Sequence, residues 1–193
     1  MPLARSARVA LIAPIALNVG LAVSFAACSA QPGGSGGGAG TERSGEPVRG
    51  ALDTYTDQID AAGLLDFEAT TLDGTAIDAA TYANRALAVW FWAPWCPTCN
   101  GEAPEVVRAA REHPEIQFIG LAGRDDQGPM RDFVERYGID FPTVVDRDGS
   151  IWRRFGVSGQ PAWVFFNGRG EAWRVLGAPN ESEFLRILGE LTT

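Results

Sequence analysis

Seven apolar residues in a row, Ala86-Leu87-Ala88-Val89-Trp90-Phe91-Trp92, run almost directly into two cysteines, Cys96 and Cys99, that stand two residues apart. A continuous run of bulky residues suits a central strand buried on both faces, because alternation disappears when neither face meets water. The cysteines beyond it can close a small disulfide ring and open it again, so the chemistry written at this junction is thiol–disulfide exchange. Half a zinc site is the competing reading. It would want a second cysteine pair or several histidines, and the chain has three cysteines in all and one histidine, His113. Covalent haem would want a histidine after Cys99, where Asn100 stands.

The pattern around the junction alternates strands with helices. Leu65–Thr71 and Thr75–Ile77 flank Asp73-Gly74, a hairpin signal. Asp78 is placed to cap a short helix over 79–83. After the cysteines, Glu102–Glu112 reads as a helix with Val106, Val107 and Ala110 on its apolar side and Pro104 inside it, where a kink is expected. Ile116–Leu121 is a second core strand. Asp125 or Asp126 is expected to cap a helix over Pro129–Tyr137, which Gly138 stops. A short strand at Thr143–Val145 and a helical turn at Ile151–Phe155 follow. Ala162–Phe166 and Glu171–Val175 form a second hairpin about Asn167-Gly168-Arg169-Gly170, and Glu181–Leu191 is a closing amphipathic helix. Residues 51–65 are ambiguous, with Leu52, Tyr55 and Ile59 at helical spacing.

The first fifty residues read differently. Arg5 and Arg8 precede an apolar stretch from Val9 to Phe25, and small residues lead to Cys28, the order of an export signal. The stretch resembles a bacterial lipoprotein signal ending in Phe25-Ala26-Ala27-Cys28, with Phe25 a departure from the usual Leu, Val or Ile. That resemblance implies lipidation at Cys28. Ordinary cleavage after Ala27 or Ala30, or an uncleaved anchor helix, are the alternatives, and all three put the remainder outside the cytoplasm. Residues 29–50, rich in Gly, Ser and Pro, read as a flexible tether. Residues 51–193 then form one domain.

Charge narrows the partners. The net charge is −8, and losing Arg5 and Arg8 with the first 28 residues takes it to −10. An acidic chain is a poor match for nucleic acid. All 16 basic residues are arginine, so catalysis by lysine is excluded.

From about Leu64 onward the chain resembles the thioredoxin-like superfamily in its TlpA/ResA branch. The residues that carry this are the Thr71-Leu72-Asp73-Gly74-Thr75 hairpin, the stretch Trp95-Cys96-Pro97-Thr98-Cys99-Asn100-Gly101-Glu102-Ala103-Pro104, and the later Pro161. It is also similar to the actinobacterial DsbF/DsbE group of secreted thiol–disulfide oxidoreductases, through Trp90–Cys99, Gly120-Leu121-Ala122-Gly123 and Phe155–Ala162. The fold implied is an α/β thioredoxin-like fold: a central mixed β-sheet flanked by helices, with an extra N-terminal β-hairpin.

The resemblance also implies roles. Cys96 lies where a helix N-terminus favours a thiolate and is the expected nucleophile, with Pro97 suited to the first helical position. Cys99, one turn on, is expected to resolve a mixed disulfide. Pro161 is expected to be cis and to face the pair, leaving the Gln160 backbone free for a substrate strand; an ordinary strand-starting proline is the alternative. Glu102 is expected to share a helix face with Cys99 and to take its proton, or else to be a solvated first-turn acid. Ordinary thioredoxins carry a buried acid at the position of Trp90. Trp95 is expected to shield the sulfurs and offer an apolar docking surface. Trp92 reads as core, His113 as a helix-end residue, and Arg124-Asp125-Asp126 as a solvated loop placed where it could rim the site.

The function implied is an extracytoplasmic, lipid-anchored oxidoreductase that exchanges disulfides with cysteine-containing exported proteins, acting as an oxidant. A membrane redox partner would reset the pair. No cofactor beyond the cysteine pair and no metal are expected. The alternatives are a reductant of exported or apocytochrome c cysteines, and a peroxiredoxin-like antioxidant.

Overall fold

The computed structural model describes residues 57–193. The signal-like segment with Cys28, the tether and residues 51–56 lie outside the described residues. The elements run β1 (Asp57–Ile59), β2 (Glu68–Thr70), β3 (Ala76–Asp78), a 3-10 turn (Ala79–Tyr82), β4 (Ala86–Trp92), α1 (Pro97–Glu112), β5 (Gln117–Gly123), α2 (Gln127–Tyr137), β6 (Thr143–Asp146), α3 (Ser150–Arg154), β7 (Ala162–Asn167), β8 (Ala172–Leu176) and α4 (Glu181–Leu191).

Six strands form one mixed sheet in the order β1-β8-β7-β4-β5-β6. β4 is parallel to β5 and antiparallel to β7, with Trp90 opposite both Gly120 and Trp163. The expected strand buried on both faces is therefore found, and its side chains divide strictly by parity. Ala88, Trp90 and Trp92 join Phe133, Trp163, Phe165 and Phe184 in the core beneath α1, α2 and α4. Leu87, Val89 and Phe91 join Leu121, Trp152, Phe155 and Val164 in the core on the opposite face. The implied thioredoxin-like architecture is present, and so is the extra hairpin. β2 and β3 pair antiparallel as a separate two-stranded sheet, held to β6 by the Leu72 N–H donating to the Thr143 carbonyl at 2.8 Å.

Local signals succeed where a side chain has a backbone partner within reach. Asp78 accepts the Ala80 N–H at 2.9 Å and caps the 3-10 turn. Gly138 ends α2 at φ 64°, a left-handed conformation that suits glycine. Asn180 and Glu183 close a reciprocal capping box on α4.

Three expectations need correction. Ile59 belongs to strand β1, paired with β8, and not to a helix; edge pairing across more than 110 residues overrides a weak local pattern. α1, read by periodicity from Glu102, begins five residues earlier at Pro97, the residue suited to the first helical position, so the cysteine motif is itself the first turn. α2 begins at Gln127, and Asp126 occupies its N-cap without a side-chain cap bond, because its carboxylate pairs with Arg147.

The second core is closed by one buried acid. Asp146, 2% exposed, accepts the Trp152 N–H at 2.8 Å, the Ile151 N–H at 3.1 Å and the Ser150 hydroxyl at 3.3 Å. It thereby fixes α3 and seats the Trp152 indole, which donates to the Leu121 carbonyl at 3.1 Å. Replacing Asp146 with alanine leaves these donors unpaired against apolar surroundings. Asp146→Ala is expected to lose about 2–4 kcal/mol of stability in urea unfolding, and Asp146→Asn less than half of that.

Candidate active site

The junction is built by the end of β4 and the first turn of α1. The chain turns after Trp92, with the Ala93 carbonyl accepting the Cys96 N–H at 3.1 Å. Cys96 is the N-cap of α1 and Pro97 enters its first turn, where a missing N–H leaves nothing unsatisfied. Sulfur does the capping: Cys96 Sγ accepts the Cys99 N–H at 3.1 Å. The two cysteines are joined to each other as a disulfide with Cα atoms 5.2 Å apart, within the usual range for such a bond. Unpaired N–H groups and the dipole at this helix end favour a thiolate on Cys96. Cys96 retains 4% exposure and Cys99 none, so an incoming group reaches Cys96 first.

Asn100 ties the loop down. Its Nδ2 donates to the Cys96 carbonyl at 2.8 Å and to the Pro94 carbonyl at 3.0 Å, while its Oδ1 accepts the Tyr137 hydroxyl of α2 at 2.8 Å. Sequence reasoning noted Asn100 only as a missing histidine. Its position one helical turn from the Cys96 carbonyl was the available signal.

Glu102 points beneath the helix and not into solvent. Its Oε1 accepts the Trp90 indole N–H at 2.5 Å. Burial pushes its carboxyl up to about 7; the Trp90 hydrogen bond offsets part of this and the nearby Trp163 indole a little more. Trp163 Nε1 makes no full hydrogen bond of its own, so Trp90 is the donor that holds this carboxyl. Glu102 stands three residues from Cys99 on the same helix, the spacing that puts two side chains on one side.

At the same end of the sheet, Ala162 of β7 lies opposite Phe91 of β4, which sets Pro161 beside Trp92 and the motif. The Gln160–Pro161 peptide is cis, as the resemblance implied. The Gln160 side-chain oxygen is buried without a partner among the described residues. Trp95 is 54% exposed, and its indole donates to the Arg124 carbonyl at 3.3 Å. The Arg124 guanidinium donates in turn to the Ser158 carbonyl at 2.6 Å, so this loop does rim the site. Leu176, 59% exposed, was not singled out from sequence. It is paired with Ala162, and the Gly177 N–H next to it donates to the Pro161 carbonyl at 2.9 Å. Trp92 is core, stacked on Phe133 at 4.2 Å. His113 ends α1 and pairs with Glu115, remote from the cysteines in the chain.

Comparison with known proteins agrees with this geometry. The AhpC/TSA family profile matches residues 62–175. The soluble secreted antigen MPT53 of Mycobacterium tuberculosis (strain ATCC 25618 / H37Rv) is 44% identical over 106 residues, 55% of this chain and 61% of the antigen. The thiol–disulfide oxidoreductase ResA of Halalkalibacterium halodurans is 26% identical over 113 residues, 58% of this chain and 64% of that protein. The chain thus spans less than two thirds of the length of these curated relatives. Among solved structures, MTB DsbF in its mixed oxidized and reduced forms superposes with a TM-score of 0.66 at 42% identity, covering 67% of this chain and 98% of that one.

The raised carboxyl has a thermodynamic consequence. Glu102 holds its proton more tightly in the fold, to about 7, than its ordinary value of 4.5 allows in the unfolded chain. Its stabilising contribution is fully present below about 4.5 and is lost as pH rises through about 7. Glu102→Gln keeps an acceptor for Trp90 and removes the titration. The stability of wild type relative to this variant should fall by about 2 kcal/mol between pH 4.5 and pH 8, a figure already discounted for partial exposure. Urea unfolding across that range reads it directly, and a flat difference would mean a solvated carboxyl.

Proposed function

The chain belongs to the AhpC/TSA family, and from that premise we propose that it is an extracytoplasmic thiol–disulfide oxidoreductase that donates disulfides to cysteine-containing exported proteins. One observation carries the reading: a Cys96–Cys99 disulfide in the first turn of α1 with only Cys96 open to attack. A substrate thiolate attacks Cys96 Sγ, the Cys96–Cys99 bond breaks, and the Cys99 thiolate leaves. Glu102, titrating at about 7, supplies the proton to Cys99. A second substrate thiolate then attacks the substrate sulfur of the mixed disulfide and releases the Cys96 thiolate, which the helix N-terminus stabilises. Two electrons pass from the substrate dithiol to the pair; the substrate thiol protons go to solvent, one proton reaches Cys99 from Glu102, and Cys96 is left as the thiolate. In the reverse direction Cys96 attacks and Cys99 resolves.

Trp95 and Pro97 border the reacting sulfur, and Pro161 with the Gln160 backbone supplies an edge for an extended substrate segment. The likeness to a soluble secreted antigen supports export, and the oxidant direction follows from the resemblance to the DsbF/DsbE group. A signal over residues 1–28 with lipid at Cys28, a tether over 29–50 and a domain over 51–193 complete the reading. A membrane partner would reoxidise the pair. The alternative is the reverse direction, a reductant of exported or apocytochrome c cysteines, which the resemblance to the TlpA/ResA branch implies; the ResA relative, a thiol–disulfide oxidoreductase, fits either direction. The family match also supports a peroxiredoxin-like antioxidant.

Cys99→Ser should accumulate a mixed disulfide with a reduced substrate peptide, whereas Cys96→Ser should form none; non-reducing electrophoresis and mass spectrometry distinguish them. The reduction potential sets direction: near about −120 mV supports the oxidant and near about −270 mV the reductant. Peroxide consumption by Cys99→Ser would point to the antioxidant instead.

A further inference from the structure

A cleft of about 430 Å³ opens beside the site, lined by Arg124, Arg153 and Asp148 with the loop Gly156–Ser158. Two bonds tie it to the reacting centre. The Arg124 carbonyl accepts from the indole of Trp95, the residue before Cys96. The Arg124 guanidinium holds the carbonyl of Ser158, two residues before Gln160. The cleft therefore lies between the Trp95 side of the cysteine pair and the loop that leads into Pro161.

The protein is acidic overall, yet two guanidinium groups face one small opening. Arg124 takes a left-handed backbone, φ 59°, alone in this among the described non-glycine residues, a conformation that persists when the surroundings enforce it. Its guanidinium lies 5.2 Å from the centre of the Trp152 ring, so its direction is fixed by that ring and by Ser158.

One acid, Asp148, shares the lining, its carboxyl held below the usual range by Ser150 and, more weakly, by Arg153; two guanidinium groups against one carboxylate leave the cleft net positive. Asp125 accepts the Asp126 N–H, and Asp126 pairs with Arg147. Asp148 accepts the Ser150 N–H at 3.0 Å, and Arg153 reaches only the Asp148 backbone carbonyl, at 2.8 Å. Among the described residues, Arg124 and Arg153 form no ion pair with a carboxylate, whereas Arg108, Arg111, Arg147 and Arg174 do.

We infer that this cleft is a substrate subsite for a carboxylate side chain, an Asp or Glu flanking the cysteine that exchanges with Cys96. A planar guanidinium matches a carboxylate through paired N–H donors. The groups are exposed, so their effect is a preference and not a requirement. The inference rests on the exchange reading above.

The test uses the oxidised full chain and a panel of reduced dithiol peptides. The peptides are identical except for Glu, Gln or Arg at successive positions on either side of the first cysteine. At low ionic strength the Glu peptide should react about three- to fivefold faster than its Gln counterpart at one or two positions, with the advantage shrinking as salt is added. Arg153→Gln and Arg124→Gln should each bring the Glu:Gln ratio toward one. Arg153→Glu should invert it in favour of the Arg peptide. Arg111→Gln, which removes the same charge on α1 away from the cleft, should keep the wild-type ratio. Equal rates for Glu and Gln peptides at every position would overturn the subsite while leaving the exchange reading standing. A ratio lost equally in Arg111→Gln would assign the preference to the general field and also overturn it. Absence of exchange with any peptide, the neutral one included, would overturn the exchange reading and the subsite with it.

Discussion

The position of β4 between β5 and β7 governs everything else in this domain. Its seven residues are packed on both faces, with Leu87, Trp90, Phe91 and Trp92 wholly buried. Parallel pairing on one side demands a crossover, which α1 supplies; antiparallel pairing on the other brings the start of β7 to the end of β4. A strand and a helix meeting there must share a tight turn, and Cys96 occupies it. The same register puts Pro161 across from that turn. The two halves of the site are thus 65 residues apart in the chain and adjacent because of one strand's neighbours.

Burial around that turn also sets the electrostatics. The core beneath α1 is lined with indoles, Trp90 stacked on Trp163 at 5.8 Å and Trp92 on Phe133. A carboxyl placed there loses water and gains only what the indoles can donate. Trp90 donates to Glu102, and desolvation still exceeds that gain, so the proton is held to about 7. The strand contributes a donor and the helix contributes the acid. One consequence is that this carboxyl sits on the same helix as Cys99, one turn after it, and Cys96 caps the start of that helix.

The sequence reveals these features unequally, for physical reasons. Periodicity identified β4, the hairpins and the closing helix, because each of these hides a face from water. The cysteine spacing and Pro161 exposed the reacting pair and its neighbour, the latter only through resemblance. Strand β1 was missed because three residues, Asp57–Ile59, gain their structure from β8 and not from their own pattern. Periodicity alone starts α1 late, at Glu102, because Thr98, Asn100 and Gly101 are poor helix formers, whereas Cys96 and Pro97 mark the start that the structure has. Asn100, Arg124 and Leu176 act through partners on other elements, α2, the Pro161 loop and β7. No local window contains both members of such a pair.

Those late-found residues divide the rim of the site into two chemistries. On the cysteine side stands Trp95, exposed and joined to Arg124, with a second guanidinium in the cleft behind it. On the far side of Pro161 stands Leu176, exposed and apolar. Disulfide exchange itself asks only for a reachable sulfur and a stabilised leaving thiolate, and both come from the buried frame of β4 and α1. Choice among substrates would need surface that contacts the flanking residues, and the candidates stand on the loop after β5, on α3 and at the end of β8. Arg124, Arg153 and Leu176 are all exposed, although Arg124 is also tied to Trp152, Trp95 and Ser158. On the proposed reading, reactivity rests on what is buried and selectivity on what the burial leaves at its edge.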